Sequence, residues 1–271
     1  MKIGDKDFAI GRRTYIVGIV NVTPDSFFDG GKFGCTDAAV SHAMQLISDG
    51  ADIVEIGGES TRPGHEKVDE ETEMERVLPV IESLRQKTDV PISVDTSKSR
   101  VADAALSLGA SLINDISCFT LDDELAAVCA KHGSACCVMH NRDNLQYRNL
   151  IMDVMMDLQR SIYKVEKAGV PKDKIIIDPG IGFAKAVYDN LVILRNLSYF
   201  TSYEYPLMIG TSRKSFMGKI LGLEKEDRLE ATLATTALAI SNQAAFIRVH
   251  DVLENKRVAM MADELVRGRH K

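Results

Sequence analysis

The sequence has no run of about eighteen apolar residues, so no segment reads as a membrane span. Its first residues, MKIGDKDFAIGRR, scatter charges and lack the continuous apolar core of a secretory signal, so none is expected. A large charge excess is also missing. With 33 Lys+Arg against 39 Asp+Glu the formal net charge is −6, which argues against nucleic acid or an anionic membrane as partner. Any anion bound here must be held by a few local cations. The five cysteines (Cys35, Cys118, Cys129, Cys136, Cys137) form no CxxC and no zinc-ligand spacing. They read as buried reduced thiols, and a cytoplasmic location is expected. Low-complexity segments, charged linkers and repeats are absent too, so residues 1–271 are expected to form one domain.

What is present is a rhythm. Short, almost wholly apolar runs begin at Tyr15 (YIVGIVNV), Asp52 (DIVEIGG), Pro91 (PISVDT), Ser111 (SLINDIS), Ser134 (SACCVMH), Lys174 (KIIIDPG), Pro206 (PLMIGTS) and Ala245 (AFIRVHD). Runs without alternation are the signature of parallel strands covered on both faces. Between them lie stretches with helical spacing: Asp37–Ser48, Glu71–Lys87, Arg100–Leu108, Asp123–Lys131 and Ile151–Ala168. Gly50, Gly109, Gly133 and Gly169 stand where helix C-caps are expected. With 45% apolar residues the chain can build a large core. Eight such units predict an α/β fold, a (β/α)₈ TIM barrel, which typically takes about 250 residues. A doubly wound open sheet is the alternative. It would place G-x-G-x-x-G after its first strand, where this chain has NVTPDS.

Every apolar run turns polar at its carboxyl end: Asn21, Glu55 before Gly57–Gly58, Asp95, Asn114, His140, Asp178, Ser212–Lys214, and Arg248 with His250. In a barrel these ends converge on one face, where active sites lie. One strand-end Asp is readily a helix cap, but Lys, Arg and His offer a helix N-terminus no acceptor, so the set favours a site. Asp95, Asn114 and Asp178 supply acceptors and one amide for the edge of a heterocycle rich in N–H groups. Lys214, Arg248 and His250 read as cationic donors for phosphate oxygens or a ring carbonyl. Asn21 is a hard oxygen ligand suited to Mg²⁺ on a pyrophosphate. A salt-bridged barrel rim, with Arg248 and His250 tied to Asp251, is the structural alternative. On the site reading, Arg248 and His250 lie outside the core and their removal leaves stability unchanged.

Several motifs then resemble one family, the dihydropteroate synthases. They are IVNVTPDSFFDGG from Ile19, EIGGESTRPG from Glu55, SVDTSKS from Ser93, NDIS from Asn114, MHNR from Met139, DPGIGFAK from Asp178, GTSRKSF from Gly210 and RVHDV from Arg248. The likeness runs from about Val17 to Asp251 in the family's order. It implies the barrel, and a reaction joining 6-hydroxymethyl-7,8-dihydropterin pyrophosphate to 4-aminobenzoate with release of pyrophosphate in folate synthesis. By resemblance Asn21 contacts Mg²⁺ and pyrophosphate. Asp95, Asn114, Asp178 and Lys214 hold the pterin, while Arg248 and His250 bind the pyrophosphate, and Arg248 also stacks on the ring. Catalytic roles fall to Lys214, Arg248, His250 and Asp95. Thr61, Arg62, Phe183 and Ser212 join the substrate site, and the second substrate's pocket, which sulfonamides are expected to share, also draws on Phe27 and Pro63. The loops TPDSFFDGGKFG and STRPGHEKVD are expected to act as mobile covers. A homodimer packed through outer helices is expected from the family.

Two residues depart from the family pattern. Glu55 stands where Asp is usual, and Ala186 where Thr or Ser is common. Three rival readings remain: a pterin-binding methyltransferase acting on a corrinoid protein, an aldolase-like barrel with Lys214 as Schiff-base amine, and a pterin-binding subunit without turnover.

Overall fold

The computed structural model describes residues 1–23, 31–59 and 68–268, with the backbone alone for 31–34. A two-stranded antiparallel hairpin, β1 (Lys2–Ile3) and β2 (Lys6–Asp7), comes first. Eight parallel strands follow: β3 (Tyr15–Asn21), β4 (Ile53–Gly57), β5 (Ile92–Asp95), β6 (Leu112–Asp115), β7 (Ala135–Met139), β8 (Ile175–Asp178), β9 (Met208–Ile209) and β10 (Phe246–Val249). Their order is β8-β7-β6-β5-β4-β3-β10-β9, and a parallel bridge between Ile177 and Leu207 joins β8 to β9. The sheet closes on itself as the (β/α)₈ barrel expected from the rhythm.

Helices α1 (Gly31–Ser48), α2 (Glu70–Arg85), α3 (Ser99–Ser107), α4 (Leu125–His132) and α5 (Leu150–Lys167) fill the first connections. After β8 come α6 (Val187–Arg195) and α7 (Leu197–Thr201), then α8 (Ser215–Leu221) and α9 (Leu229–Ser241) after β9, and α10 (Val252–Arg267) after β10. Caps set the boundaries. Asp69 accepts from the Thr72 amide at 2.7 Å ahead of α2, and Asn149 from the Met152 amide at 3.2 Å ahead of α5. Gly50, Gly109, Gly133 and Gly169 all take positive φ where four of the expected helices end.

Each strand is buried on both sides but serves two separate cores, which is why its sequence shows no polar alternation. Ile16 and Val20 of β3, Val54 and Ile56 of β4, Ile175 and Ile177 of β8 and Ile247 of β10 pack outward against the helices. The alternate residues Tyr15, Val17, Ile53, Leu112, Ala135, Cys137, Ile176, Met208 and Phe246 fill the inside of the ring. Ile3 and Phe8, on either side of the hairpin's second strand, join this inner cluster. Phe8 packs edge-on against Tyr15 at 4.8 Å and against Phe246 at 5.8 Å, so the hairpin plugs the amino-terminal end. Periodicity gave no sign of this element, because two-residue strands are too short to carry any.

Above the apolar layer the inward positions turn polar: Glu55 on β4, Ser93 and Asp95 on β5, Asn114 on β6, Asp178 on β8 and Arg248 on β10. The barrel is thus plugged with hydrocarbon at one end and lined with charge at the other. The charged end is where the strands finish.

Candidate active site

Strand register gathers the polar residues. Asn21 pairs with Gly57, Gly57 with Asp95, and Asp95 with Asn114, so three polar side chains and one gap share a level across four neighbouring strands. A Cβ on Gly57 would stand 3.6 Å from Asp95 Cβ and 3.8 Å from Asn21 Oδ1. One on Gly210 would stand 3.9 Å from Asp178 Oδ2 and 3.6 Å from Arg248 Cδ. Two inward positions without side chains leave room beside the carboxylates for a flat ligand.

Arg248 is the hub. Its Nε donates to Glu55 Oε1 at 2.5 Å, its Nη2 to Asp95 Oδ2 at 2.7 Å, and Ser93 Oγ donates to the other Glu55 oxygen at 3.3 Å. The Arg248 side chain is 15% exposed and that of Glu55 0%. Burial works against the guanidinium's charge, but the Glu55 and Asp95 carboxylates outweigh it and raise its pKa. For Asp95, burial pushes the pKa up, Arg248 opposes and Glu55 adds to the push. These pairs correct the picture of Arg248 as a rim residue outside the core. Asp251, offered as its salt-bridge partner in the structural alternative, instead takes Arg213 at 2.8 Å through both oxygens.

Asp178 is buried and accepts from the Gly180 amide at 2.7 Å. Burial pushes its pKa up to about 6, against the pull of that amide, Lys214 and Arg248. Lys214, at the N-cap of α8, has its ammonium 4.1 Å from the centre of the Phe183 ring. Burial, with Arg248 adding to it, brings Lys214 down to about 8, while Asp178 and Asp95 oppose. Ser212 Oγ lies 2.9 Å from His250 Nδ1 and accepts from the His250 amide at 3.2 Å. Burial, then Arg248, lowers His250 to about 3, so its imidazole is a neutral hydrogen-bonding group and not the cation expected. Asn114 is buried at its level beside Asp95.

One strand-end residue faces elsewhere. His140 follows the inward-facing Met139 and so turns outward, with Nε2 3.2 Å from Asp157 of α5 and Nδ1 3.0 Å from Lys185 Nζ. Lys185 lies outside the strand-end pattern that points to the other site residues, although a lysine between strand and helix in a glycine-rich turn is a usable signal. Thr61 and Arg62, with Phe27, Phe28, Pro63 and most of both expected cover loops, lie outside the described residues.

Among the described residues no cluster of His, Cys, Asp and Glu could hold a metal ion by itself. The oxygen donor at hand is Asn21, beside the Gly57 gap.

Comparison with known proteins places this geometry. Residues 17–250 match the family described as pterin binding enzyme. A dihydropteroate synthase of Clostridium beijerinckii is 52% identical over 268 residues, covering 98% of this chain and all of that protein. Among solved structures, the dihydropteroate synthase of Clostridium difficile in the presence of pteroic acid is 46% identical with a TM-score of 0.94, covering 96% of this chain and 100% of that one. The Yersinia pestis enzyme with a sulfonamide drug is 38% identical with a TM-score of 0.91, covering 98% of each chain.

Proposed function

This chain belongs to the pterin-binding enzymes and, among them, to the dihydropteroate synthases, and we propose how its barrel mouth performs their reaction. That reaction is a transfer: 6-hydroxymethyl-7,8-dihydropterin pyrophosphate and 4-aminobenzoate give 7,8-dihydropteroate and pyrophosphate. The observation that carries the proposal is the ring of Asp95, Asn114, Asp178 and Lys214 around two side-chain gaps at the carboxyl ends of the strands.

Asp178 accepts from the N–H groups of the pterin edge, because a carboxylate takes two donors in one plane. Asn114 and Asp95 complete that edge, and Lys214 donates to an acceptor on the ring. Arg248, fixed by Glu55 and Asp95, presents its guanidinium plane to the pterin face. The C–O bond to pyrophosphate breaks and the leaving group takes the electron pair. The aminobenzoate nitrogen then forms the new C–N bond and gives up a proton. No protein nucleophile is needed. The neighbouring carboxylates favour the cation-like carbon, and His250 and Lys214 donate to the departing oxygens.

Charge balance supports Mg²⁺ as the cofactor. Among the described residues, Glu55, Asp95 and Asp178 stand against Arg248 and Lys214, with Lys185 acting on Asp178 from beneath the turn, so the pocket has no surplus of positive charge for a polyanion. Asn21 and the pyrophosphate oxygens fit Mg²⁺, which commonly binds through substrate phosphates and retained water. When bound, the ion neutralises the charge that develops on the leaving group.

Sulfonamides act as competitors of 4-aminobenzoate beside Ser212 and Phe183. A homodimer is supported by apolar side chains exposed on the outer helices, among them Leu221, Met260, Met261 and Leu265. Light scattering at micromolar concentration distinguishes dimer from monomer. A lowered Lys214 also suits an imine-forming lysine, but the relatives over the full chain length favour the synthase.

The test is a titration. Isothermal calorimetry with the pterin pyrophosphate should show tight binding to the wild type and roughly hundredfold weaker binding to a folded Asp178→Asn variant. Equal affinity in the two would overturn the pterin assignment.

A further inference from the structure

Between Asp178 and α6 the chain makes a tight turn with three residues in the left-handed region. Gly180 and Gly182 take φ of +69° and +84°, and Ala184, which has a side chain, takes +45°. A Cβ at Gly180 would lie 1.9 Å from the His140 carbonyl oxygen, so the turn is pressed against the end of β7. Such a backbone persists only where its surroundings hold it.

Lys185 reaches back under this turn. Its Nζ donates to the Gly180 carbonyl at 2.9 Å and the Phe183 carbonyl at 2.9 Å, and lies 3.0 Å from His140 Nδ1. An ammonium has three protons, and the three acceptors take them all. Burial, followed by Lys185, holds His140 neutral, at about 3. Its Nε2–H then donates to Asp157 and its Nδ1 accepts from the lysine. Lys185 is 9% exposed and, among the described residues, makes no hydrogen bond to a carboxylate. Burying an ammonium without a direct ion pair is costly. Burial lowers it to about 7, with Asp178 opposing.

The two carbonyls it holds belong to the residues that shape the pocket. Gly180 donates its amide to Asp178 Oδ1 at 2.7 Å, fixing that carboxylate, and Phe183 carries the ring beneath the Lys214 ammonium. We propose that Lys185 is a positioning residue of the pterin pocket, clamping the turn 180–183 so that Asp178 and Phe183 keep their places. It does not touch substrate, since no proton of its ammonium is left to donate. This inference rests on the reading of Asp178 as the pterin acceptor. Two uncharged tethers act on the same turn, Asn190 Oδ1 accepting from the Gly182 amide at 2.6 Å and Tyr147 Oη donating to the Ala184 carbonyl at 2.6 Å. Neither holds Gly180 or Phe183.

The experiment compares Lys185→Met with wild type and Asp178→Asn. The affinity for 6-hydroxymethyl-7,8-dihydropterin pyrophosphate is read per folded molecule by calorimetry, beside a thermal melt. Lys185→Met is expected to bind at least roughly tenfold more weakly, since small displacements of positioned groups cost that much or more. Lys185→Arg, which keeps the donors, should recover part of the loss. If Lys185→Met does not fold, Lys185→Gln, with a shorter amide that loses one carbonyl contact, is expected to show the same weakening. A folded Lys185 variant that melts earlier yet binds within twofold of wild type would make the lysine a strut and overturn the inference. If Asp178→Asn also binds like wild type, the pterin reading itself has failed. Loss in Asp178→Asn with none in the Lys185 variants isolates the failure to Lys185.

Discussion

Arg248 donates through Nε to Glu55 Oε1 at 2.5 Å, linking β10 to β4 over the intervening β3, with the glutamate side chain wholly shielded from water. This pair makes the site part of the core. Removing Arg248 strands the buried Glu55 carboxylate, at a cost of about 3–5 kcal/mol, while neutralising Glu55 leaves the guanidinium paired with Asp95 and costs less. Arg248→Ala should therefore lower the melting temperature by roughly 6–20 °C in a chain of this size, and Glu55→Gln should lower it by less. The double variant should lose less than the two single losses combined, by about 1 kcal/mol or more. Calorimetric melts of the four proteins settle it, and strict additivity would show that the pair is not coupled. Arg248→Ala should also cut turnover by at least roughly tenfold, about 1.4 kcal/mol at the transition state.

The pocket's ionisation sets a pH window. Asp178 is raised to about 6, so below that pH it is protonated and loses its value as a two-fold acceptor. Lys214 is lowered to about 8, so above that pH it loses its proton and its charge. The kcat/KM profile, which reports the free enzyme, should rise through about 6 and fall between about 7 and 8, where Lys185 and then Lys214 lose their protons. An acid limb near 4, the ordinary carboxylate value, would contradict the buried environment assigned to Asp178.

Ala186 offers a stabilising change. It sits at the N-cap of α6 with a side chain that cannot accept a hydrogen bond, although Asp189 Oδ2 already accepts from its backbone amide at 2.9 Å. Ala186→Thr or Ala186→Ser adds the missing acceptor and completes a capping box, for a gain of about 1 kcal/mol. The melting temperature should rise by roughly 2–4 °C. No rise would mean that the cap geometry at Ala186 is wrong for a side-chain acceptor.

Much of this was legible in the sequence, for identifiable reasons. Eight apolar runs became the eight barrel strands because burial on both faces removes polar residues from a parallel strand. Gly50, Gly109, Gly133 and Gly169 marked helix ends because few other residues accept positive φ. The convergence of Asp95, Asn114, Asp178, Lys214 and Arg248 followed from closure of the ring. Other features depend on side-chain direction or distant partners. His140 lies on the outward parity of β7, so being at a strand end did not bring it into the pocket. Arg248 read as a free cation because Glu55 is 193 positions away in sequence. The neutral state of His250 depends on burial, which no local pattern records.

The thiols give an independent check on packing. Cys118, Cys129, Cys136 and Cys137 are buried and Cys35 is half-buried. Burial raises the pKa of all four buried thiols, to about 11 for Cys118 and about 12 for Cys129. A disulfide reagent at pH 8 should therefore react quickly with no more than Cys35 in the native protein and with all five after denaturation. Fast reaction of Cys136 or Cys137 would contradict their place in the strand of β7.

The most direct measurement is pyrophosphate release from the pterin pyrophosphate with Mg²⁺, in the presence and absence of 4-aminobenzoate. Release should require 4-aminobenzoate, match the dihydropteroate formed mole for mole, and fall by at least roughly tenfold in Asp178→Asn. Pyrophosphate released equally well without 4-aminobenzoate, or undiminished in Asp178→Asn, would contradict the account of the barrel mouth.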